Sequence, residues 1–348
     1  MTGLKEYEKQ LDESDEAERI YAAEDIGYLN DPDGVPVLLK RLGKENSRAV
    51  RDIIFQALIR IDSDTAIEGS IRLLLNEDPQ IRNQAVEVLR NKGAQSIPFL
   101  NAAMRDGDKN VRKLVLDILS GIRASGTEEI YSAALSDQDQ NVVITAVENL
   151  GRIRAAAFRS QIEDLLQPGA HPMLISSCLE ALVGIGHESS LASIRRCFPT
   201  FATLPDFQLA SCLKAVAALG SAREFAEVAD LLTVRGPHLR PAILSTLIAI
   251  HRRCRSLDAG EGLLSELLAM VESGDPPSRY QAVQVLGIWS IRDDVFQLLV
   301  SCLSSNERLV RLAAAEAIGM SERPGIERVL ALRAREETDA EVLEALTC

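Results

Sequence analysis

Arginine is the residue whose type and spacing most clearly suggest chemistry, because it returns at one position of a repeated pattern. Its planar, permanently charged guanidinium group binds carboxylates or phosphates through paired hydrogen bonds. A row of such groups predicts either a phosphate-binding surface or a ladder, in which each guanidinium bonds the turn aspartate or the carbonyls of the neighbouring repeat. We favour the ladder. The row comprises Arg19, Arg51, Arg82, Arg112, Arg240, Arg279 and Arg311.

Residues that perform nucleophilic, metal or phosphate chemistry form no such pattern. All six cysteines lie in the second half without C-x-x-C spacing, and buried thiols acting as small hydrophobes explain them better than zinc or disulfides. The sequence contains no G-x-x-x-x-G-K-[ST], G-x-G-x-x-G or G-x-S-x-G element. We therefore predict no catalytic residue, no metal site and no cofactor. The cysteines are Cys178, Cys197, Cys212, Cys254, Cys302 and Cys348.

The charge balance indicates a protein partner. The chain has 38 basic and 51 acidic residues and a net charge of −13, which argues against binding to nucleic acid or to an anionic membrane surface. No apolar run is long enough to span a bilayer, and the N-terminus is acidic where a signal peptide would be basic and then apolar. We expect a monomer in the cytoplasm.

The elements that must position these residues are paired helices. An apolar residue near the end of a helix recurs about every 31 residues, and the pattern has helical rather than strand-like spacing. Such a period is typical of a solenoid, in which each hairpin buries its apolar face against its neighbours. These anchor residues, each in the second helix of its hairpin, are Ile26, Leu58, Leu89, Leu119, Leu150, Leu182, Val216, Leu247, Leu286 and Ile318.

The repeat pattern resembles a known family. The motif D-x-x-V-R-x-x-A-x-x-x-L, seen in DKNVRKLVLDIL and NERLVRLAAAEAI and followed by an apolar helix such as VPVLLKRL, resembles the short HEAT-like repeat of the type named after phycobilisome lyases. The resemblance covers roughly residues 16 to 346. It implies an all-α superhelix, a solenoid of about ten HEAT-like hairpins, and an armadillo-type fold, whereas its members differ widely in activity.

Enzymatic members of this family suggest alternatives. Iron-dependent hydroxylases carry repeated His-Glu pairs, whereas this chain has only His187-Glu188. HEAT-like DNA glycosylases need a basic, aromatic inner face, which the composition does not favour. A bilin lyase-like subunit remains the enzymatic alternative, because an apolar middle section near Cys178 or Cys212 is compatible with a tetrapyrrole.

The chain divides into repeats on this basis. We predict an acidic N-terminal cap over residues 1–15 and a single solenoid domain over residues 16–348. The repeats lie near 16–45, 46–77, 78–107, 108–138, 139–170, 171–205, 206–236, 237–274, 275–305 and 306–337, with a half repeat at 338–348. Turn residues such as Asn46, Asp78, Asp108, Asp275 and Asn306 are expected to cap the second helices.

Three features could bind a partner. Acidic residues stand two positions before the anchors and predict a negative groove that attracts a basic segment; a solubility role is the alternative. The arginine row fails in repeats five to seven, next to a turn rich in phenylalanine, and these residues form either local core or an exposed partner site. A basic island lies in the long eighth repeat, where it either opposes a helix end or docks an acidic segment.

The residues are as follows. The acidic groove comprises Glu24, Glu87, Asp117, Glu148 and Glu180; the apolar middle comprises Val143, Ile175, Phe198, Phe201, Phe207 and Leu209; the basic loop comprises Arg252, Arg253 and Arg255. We therefore expect a rigid, non-catalytic scaffold that holds a protein or a peptide, with a basic segment, along its groove.

Overall fold

The computed structural model describes residues 2–122, 124–254, 257 and 260–347. These residues form α-helices and short 3-10 helices and contain no β-strand. They divide into two compact units, Met1–Phe158 and Arg159–Cys348. The all-α, helical-hairpin architecture predicted from the repeats is therefore confirmed, while the prediction of a single domain stays a prediction.

The first unit is built from two rows of helices. Even-numbered helices from α2 to α10, the second helices of the hairpins, pack each against the next, and α3, α5 and α7 pack in a parallel row. The α-helices are α1 (Thr2–Gln10), α2 (Glu16–Leu29), α3 (Gly34–Leu42), α4 (Arg48–Arg60), α5 (Asp64–Leu73), α6 (Pro79–Lys92), α7 (Ile97–Ala103), α8 (Lys109–Gly121), α9 (Thr127–Ala134) and α10 (Gln140–Arg152). Short 3-10 helices span Gly93–Ser96 and Ala156–Phe158.

The second unit repeats this arrangement. Its even-numbered second helices, from α12 to α22, again pack in order, with odd-numbered helices beside them. The α-helices are α11 (Arg159–Leu165), α12 (Pro172–Ile185), α13 (Ser190–Cys197), α14 (Asp206–Leu219), α15 (Ala222–Val234), α16 (Arg240–Arg253), α17 (Gly260–Ser273), α18 (Pro276–Leu286), α19 (Asp293–Cys302), α20 (Arg308–Gly319), α21 (Ile326–Ala334) and α22 (Ala340–Thr347). The 3-10 helices are Phe201–Thr203, Pro237–Leu239 and Gly287–Trp289.

The ten anchor residues form the centre of this packing. Each lies on a second helix, and each is at most 1% exposed. Burial of a Leu or Ile side chain contributes about 1.5–3 kcal/mol, so each anchor stabilises the packing of adjacent hairpins together with the other buried apolar residues of its repeat.

Short polar side chains begin the second helices. Asp78 and Asp108 accept hydrogen bonds from the amides of the first turn at 2.8 and 2.7 Å, and Asp275 caps α18 in the same way. Two predicted caps are displaced by one residue. Ser47 rather than Asn46 caps α4, and Glu307 rather than Asn306 occupies the N-cap position of α20, where its side chain makes no capping bond.

Trp289 lies in the long interval of the eighth repeat, where the anchors Leu247 and Leu286 are 39 residues apart. Its indole Nε1 donates a hydrogen bond to the carbonyl of Leu257 at 2.7 Å. The ring meets Phe225 edge to face, with centroids 6.1 Å apart. The tryptophan therefore packs against α15 and bonds the backbone at Leu257.

Candidate functional site

The arginine row forms the predicted ladder. In five repeats the guanidinium group crosses to a carboxylate near the start of the next second helix, 25 to 28 residues further along the chain. These bonds join Arg19 to Glu45, Arg51 to Asp78, Arg112 to Asp137, Arg279 to Glu307 and Arg311 to Glu337. Because these guanidinium groups already bond carboxylates inside the protein, they are poorly placed to bind phosphate.

Arg112 shows the geometry most clearly. Its Nε and one terminal nitrogen each donate to Asp137 at 2.7 Å, while the other terminal nitrogen bonds the carbonyl of Asp106 at 2.9 Å. These hydrogen bonds raise the pKa of Arg112 and lower the pKa of Asp137. The same side chain thus closes its own turn and ties that turn to the next.

Two members of the row differ. Arg82 bonds only carbonyls of its own turn, those of Asn76 at 2.7 Å and Glu77 at 2.9 Å. The Nε of Arg240 is buried and has no hydrogen-bond partner among the described residues. The ladder is therefore interrupted here as well as in repeats five to seven.

The apolar middle is largely core. Val143, Ile175, Phe198, Phe201 and Leu209 are each at most 7% exposed, and Phe207 alone is open to solvent, at 51%. This burial corrects the idea of an exposed patch for these five side chains. Val143, Ile175 and Leu209 take the places of arginine in the row, whereas Phe198 and Phe201 are buried in the segment between α13 and α14.

An ionic cluster stabilises this part of the second unit in place of the ladder. Glu227 accepts a hydrogen bond from the amide of Phe201 at 2.7 Å and also bonds Arg195, whose guanidinium lies 4.3 Å from the centre of the Phe201 ring. Arg195 also bonds Glu224 at 2.9 Å. Burial alone would raise the pKa of Glu224, but hydrogen bonds from Ser221 and Arg195 outweigh burial and lower it.

The second helices carry open grooves on their exposed face. Groove A, of about 280 Å³, lies between α4 and α6, and groove B, of about 560 Å³, lies between α8 and α10. Groove A is lined in part by Arg48, Asp52, Gln80, Asn83, Gln84 and Glu87, and groove B by Lys113, Asp117, Asn141, Glu148, Asn149 and Arg152. Three of the five predicted acidic residues, Glu87, Asp117 and Glu148, therefore line grooves.

Basic residues also lie beside these grooves, although the row of acidic residues two positions before the anchors did not predict them. Glu87 is paired with Arg90 at 2.9 Å. Burial raises the pKa of Asp117, while the charges of Lys113, Arg90 and Arg152 act against that rise. In the second unit, Glu180 pairs with Lys214 at 2.9 Å. The stripe is therefore mixed in charge, because bases on the same or the next helix fall between its acids.

Asn149 places a buried amide group beside groove B. Its side chain is 2% exposed, and its amide nitrogen donates to the carbonyl of Thr145 at 2.9 Å. Its Oδ1 is buried and has no hydrogen-bond partner among the described residues. A buried acceptor without a donor costs about 1–3 kcal/mol, so a hydrogen-bond donor at this position would be stabilised.

The basic loop is only partly free. Arg253 donates to the carbonyls of Ala217 and Gly220, the latter at 2.7 Å, and so opposes the negative end of α14. Arg252 is exposed and lines groove C, of about 410 Å³, at the ends of α16, α18 and α20. Arg255 lies outside the described residues.

The environments of Cys178 and Cys212 disfavour the reactive thiolate form. Cys178 and Cys212 are fully buried, and burial raises the pKa of each thiol to about 12. A tetrapyrrole could not reach either thiol without opening this layer. Among the described residues, no group of His, Cys, Asp and Glu side chains is arranged to hold a metal ion, and Cys348 lies outside those residues.

A family model identifies the repeats. A model of HEAT repeats matches residues 4–90 and 264–347, and the hairpins between these ranges have the same architecture. This chain contains HEAT repeats in both of its units. The HEAT repeats give its fold, whereas the finer likeness to phycobilisome lyases remains a resemblance. No curated protein matches the chain.

Solved structures agree on the fold. Kap121p bound to Ste12p matches with a TM-score of 0.56 and 14% identity over 99% of this chain and 44% of that chain. The karyopherin Kap121p bound to the extreme C-terminus of the protein phosphatase Cdc14p matches with a TM-score of 0.55 and 14% identity, over 99% and 45%. This chain thus spans less than half of Kap121p, and at this identity the likeness concerns the fold alone.

Within the part of the chain that the structure describes, every helix is too short or too polar to cross a lipid bilayer.

Proposed function

We propose that this HEAT-repeat protein is a non-catalytic scaffold that binds a protein or a peptide along the exposed face of its second helices. The observation that carries the proposal is that grooves A, B and C all lie on second helices. The Kap121p structures bound to Ste12p and to the Cdc14p C-terminus support it, because a similar fold there holds protein segments. We also propose that the chain acts as a monomer in the cytoplasm.

In the first unit, the proposed partner is an extended segment with basic residues. Glu24, Glu87, Asp117 and Glu148 offer carboxylates. Arg152 and Lys113, which line groove B, would donate hydrogen bonds to backbone carbonyls of the bound segment. Mixed polarity of this kind suits a peptide backbone, which supplies donors and acceptors in alternation.

A charge-reversal pair tests the proposal. Peptides selected from a random displayed library on the full chain should bind the Glu87→Lys/Glu148→Lys variant at least about tenfold more weakly, because each change removes an attraction and adds a repulsion. The matched control is Glu68→Lys/Glu129→Lys, which reverses two exposed acids on first helices. If no peptide is recovered, or if every recovered peptide binds the two variants with equal affinity, the acidic groove is refuted as a binding site.

A further inference from the structure

Groove C contains the two most exposed large apolar side chains of the described residues. Met320 is 76% exposed and Ile291 is 66% exposed. Both line the same groove, together with the partly buried Ile248 and Ile288. A soluble protein rarely gathers such residues around one concave surface unless another molecule covers them.

The fold brings these side chains together at one end of three second helices. The floor of groove C follows the end of α18, where Gly287 begins a 3-10 turn. A Cβ atom at Gly287 would lie 2.7 Å from the Cβ of Ala317, so the glycine permits α18 and α20 to approach closely. Ile291 and Met320 follow these two helices and therefore share one groove.

The two walls carry opposite charges. Arg252 stands on α16 and Glu322 follows α20, on opposite sides of α18. Both side chains are exposed, and neither makes a hydrogen bond or an ion pair with any described residue. Glu316, in contrast, already accepts hydrogen bonds from Tyr280 and Gln284, at 3.2 and 3.1 Å. The free charges of groove C are thus one base and one acid, separated by an apolar floor.

We propose that groove C binds a short linear peptide whose apolar side chain enters between Ile291 and Met320, flanked by an acidic residue that pairs with Arg252 and a basic residue that pairs with Glu322. The carbonyl ends of α18 and α20 carry partial negative charge and favour the basic residue on the Glu322 side. Opposite charges at the two walls fix the direction of the peptide, while the apolar contact supplies most of the affinity. This inference rests on the proposed scaffold function and names the ligand class of one groove.

The first test removes the apolar contact without disturbing the core. Peptides selected from a random displayed library on the full chain are measured by fluorescence anisotropy. Peptides of the predicted pattern should lose about tenfold in affinity for Met320→Ala and for Ile291→Ala. The control is Leu332→Ala on α21, because Leu332 is 65% exposed but lies away from groove C. Equal binding to all of these variants would overturn the assignment.

The second test reverses one wall. In Arg252→Glu both walls become acidic, so peptides with an acid on one side of the apolar residue should weaken about tenfold, and peptides with a base on each side should gain. Arg335→Glu, which changes an exposed arginine on another surface, should alter neither class. If Arg252→Glu changes peptide affinity no more than Arg335→Glu does, the charged walls do not select the charges of the peptide and the proposal fails.

The outcomes separate this inference from the general function. Peptides that are released by Glu87→Lys/Glu148→Lys but keep full affinity for every groove C variant would overturn the inference and leave the scaffold function intact. A chain that recovers no peptide at all would refute both.

Discussion

At the scale of single residues, the arginine ladder joins consecutive hairpins. Asp137 is largely buried and accepts two charged hydrogen bonds from Arg112. In Arg112→Met the side chain would still pack, but Asp137 would lose its cation. We expect the free energy of unfolding to fall by about 1–3 kcal/mol. Urea denaturation measures the change, and Arg335→Met, which alters an exposed arginine outside the ladder, should stay within about 0.5 kcal/mol of the native protein.

The ladder also predicts a pH dependence. Burial would raise the pKa of Glu45, but the Ser47 amide, Arg19 and Arg41 lower it to about 2. Hydrogen bonds from Arg311 lower the pKa of Glu337 to about 2 as well. A carboxylate whose pKa is lower in the folded state contributes stability that is complete above its ordinary value of 4.5 and is lost as the pH falls toward 2.

We therefore expect the free energy of unfolding of the native protein to decrease as the pH is lowered from about 4.5 to about 2. Chemical denaturation at a series of pH values measures this decrease. Glu45→Gln cannot titrate at this position, so its stability should start lower and depend less on pH in that window. Parallel curves for the two proteins would show that Glu45 does not contribute.

The ladder could be predicted from sequence because its donors recur at one position and its acceptors follow in the next turn. Whether the phenylalanines are buried or exposed could not be predicted from the sequence. Phe201 is buried through Glu227 and Arg195, which lie on helices whose contact depends on tertiary packing. Arg90 follows Glu87 by three residues on α6, so this pairing is visible in the sequence. The closeness of Arg152 to Asp117 depends instead on the packing of α10 against α8.

At the scale of helices, close approach limits what the second helices tolerate. A Cβ atom at Gly27 on α2 would lie 2.9 Å from the Cα and the Cβ of Ala57 on α4. Gly27→Ala should push these helices apart and lower the free energy of unfolding by about 1–3 kcal/mol. Gly107→Ala is the control, because nothing lies within 4 Å of its added Cβ atom. Thermal melts of both variants decide the matter, and equal melting temperatures would contradict this account of the packing.

Helix positions were predictable because the anchors repeat and the caps are short polar residues. Their limits were less so, since Asn46-Ser47 offers two adjacent residues able to cap and only the backbone conformation selects Ser47. The acidic stripe predicted three of the residues that line grooves A and B. The depth of the grooves could not be predicted, because it depends on how far neighbouring helices separate. For groove C the sequence signal is Gly287, a small residue after the end of α18.

At the scale of the whole molecule, the described hairpins within each unit pack chiefly against their neighbours in the chain. Stability in such an array is approximately a sum of local terms. Gly27→Ala should therefore increase hydrogen exchange in α2 and α4 and leave exchange in α8 and α10 unchanged. Faster exchange throughout the first unit would indicate that it unfolds as one cooperative body instead.

The partner is expected to lie on the second helices. Hydrogen exchange of the full chain, measured with and without a selected peptide, tests this most directly. We predict protection at the second helices that border the grooves, namely α4 and α6, α8 and α10, or α16, α18 and α20, with the odd-numbered helices unchanged. Protection confined to the odd-numbered helices would contradict the account.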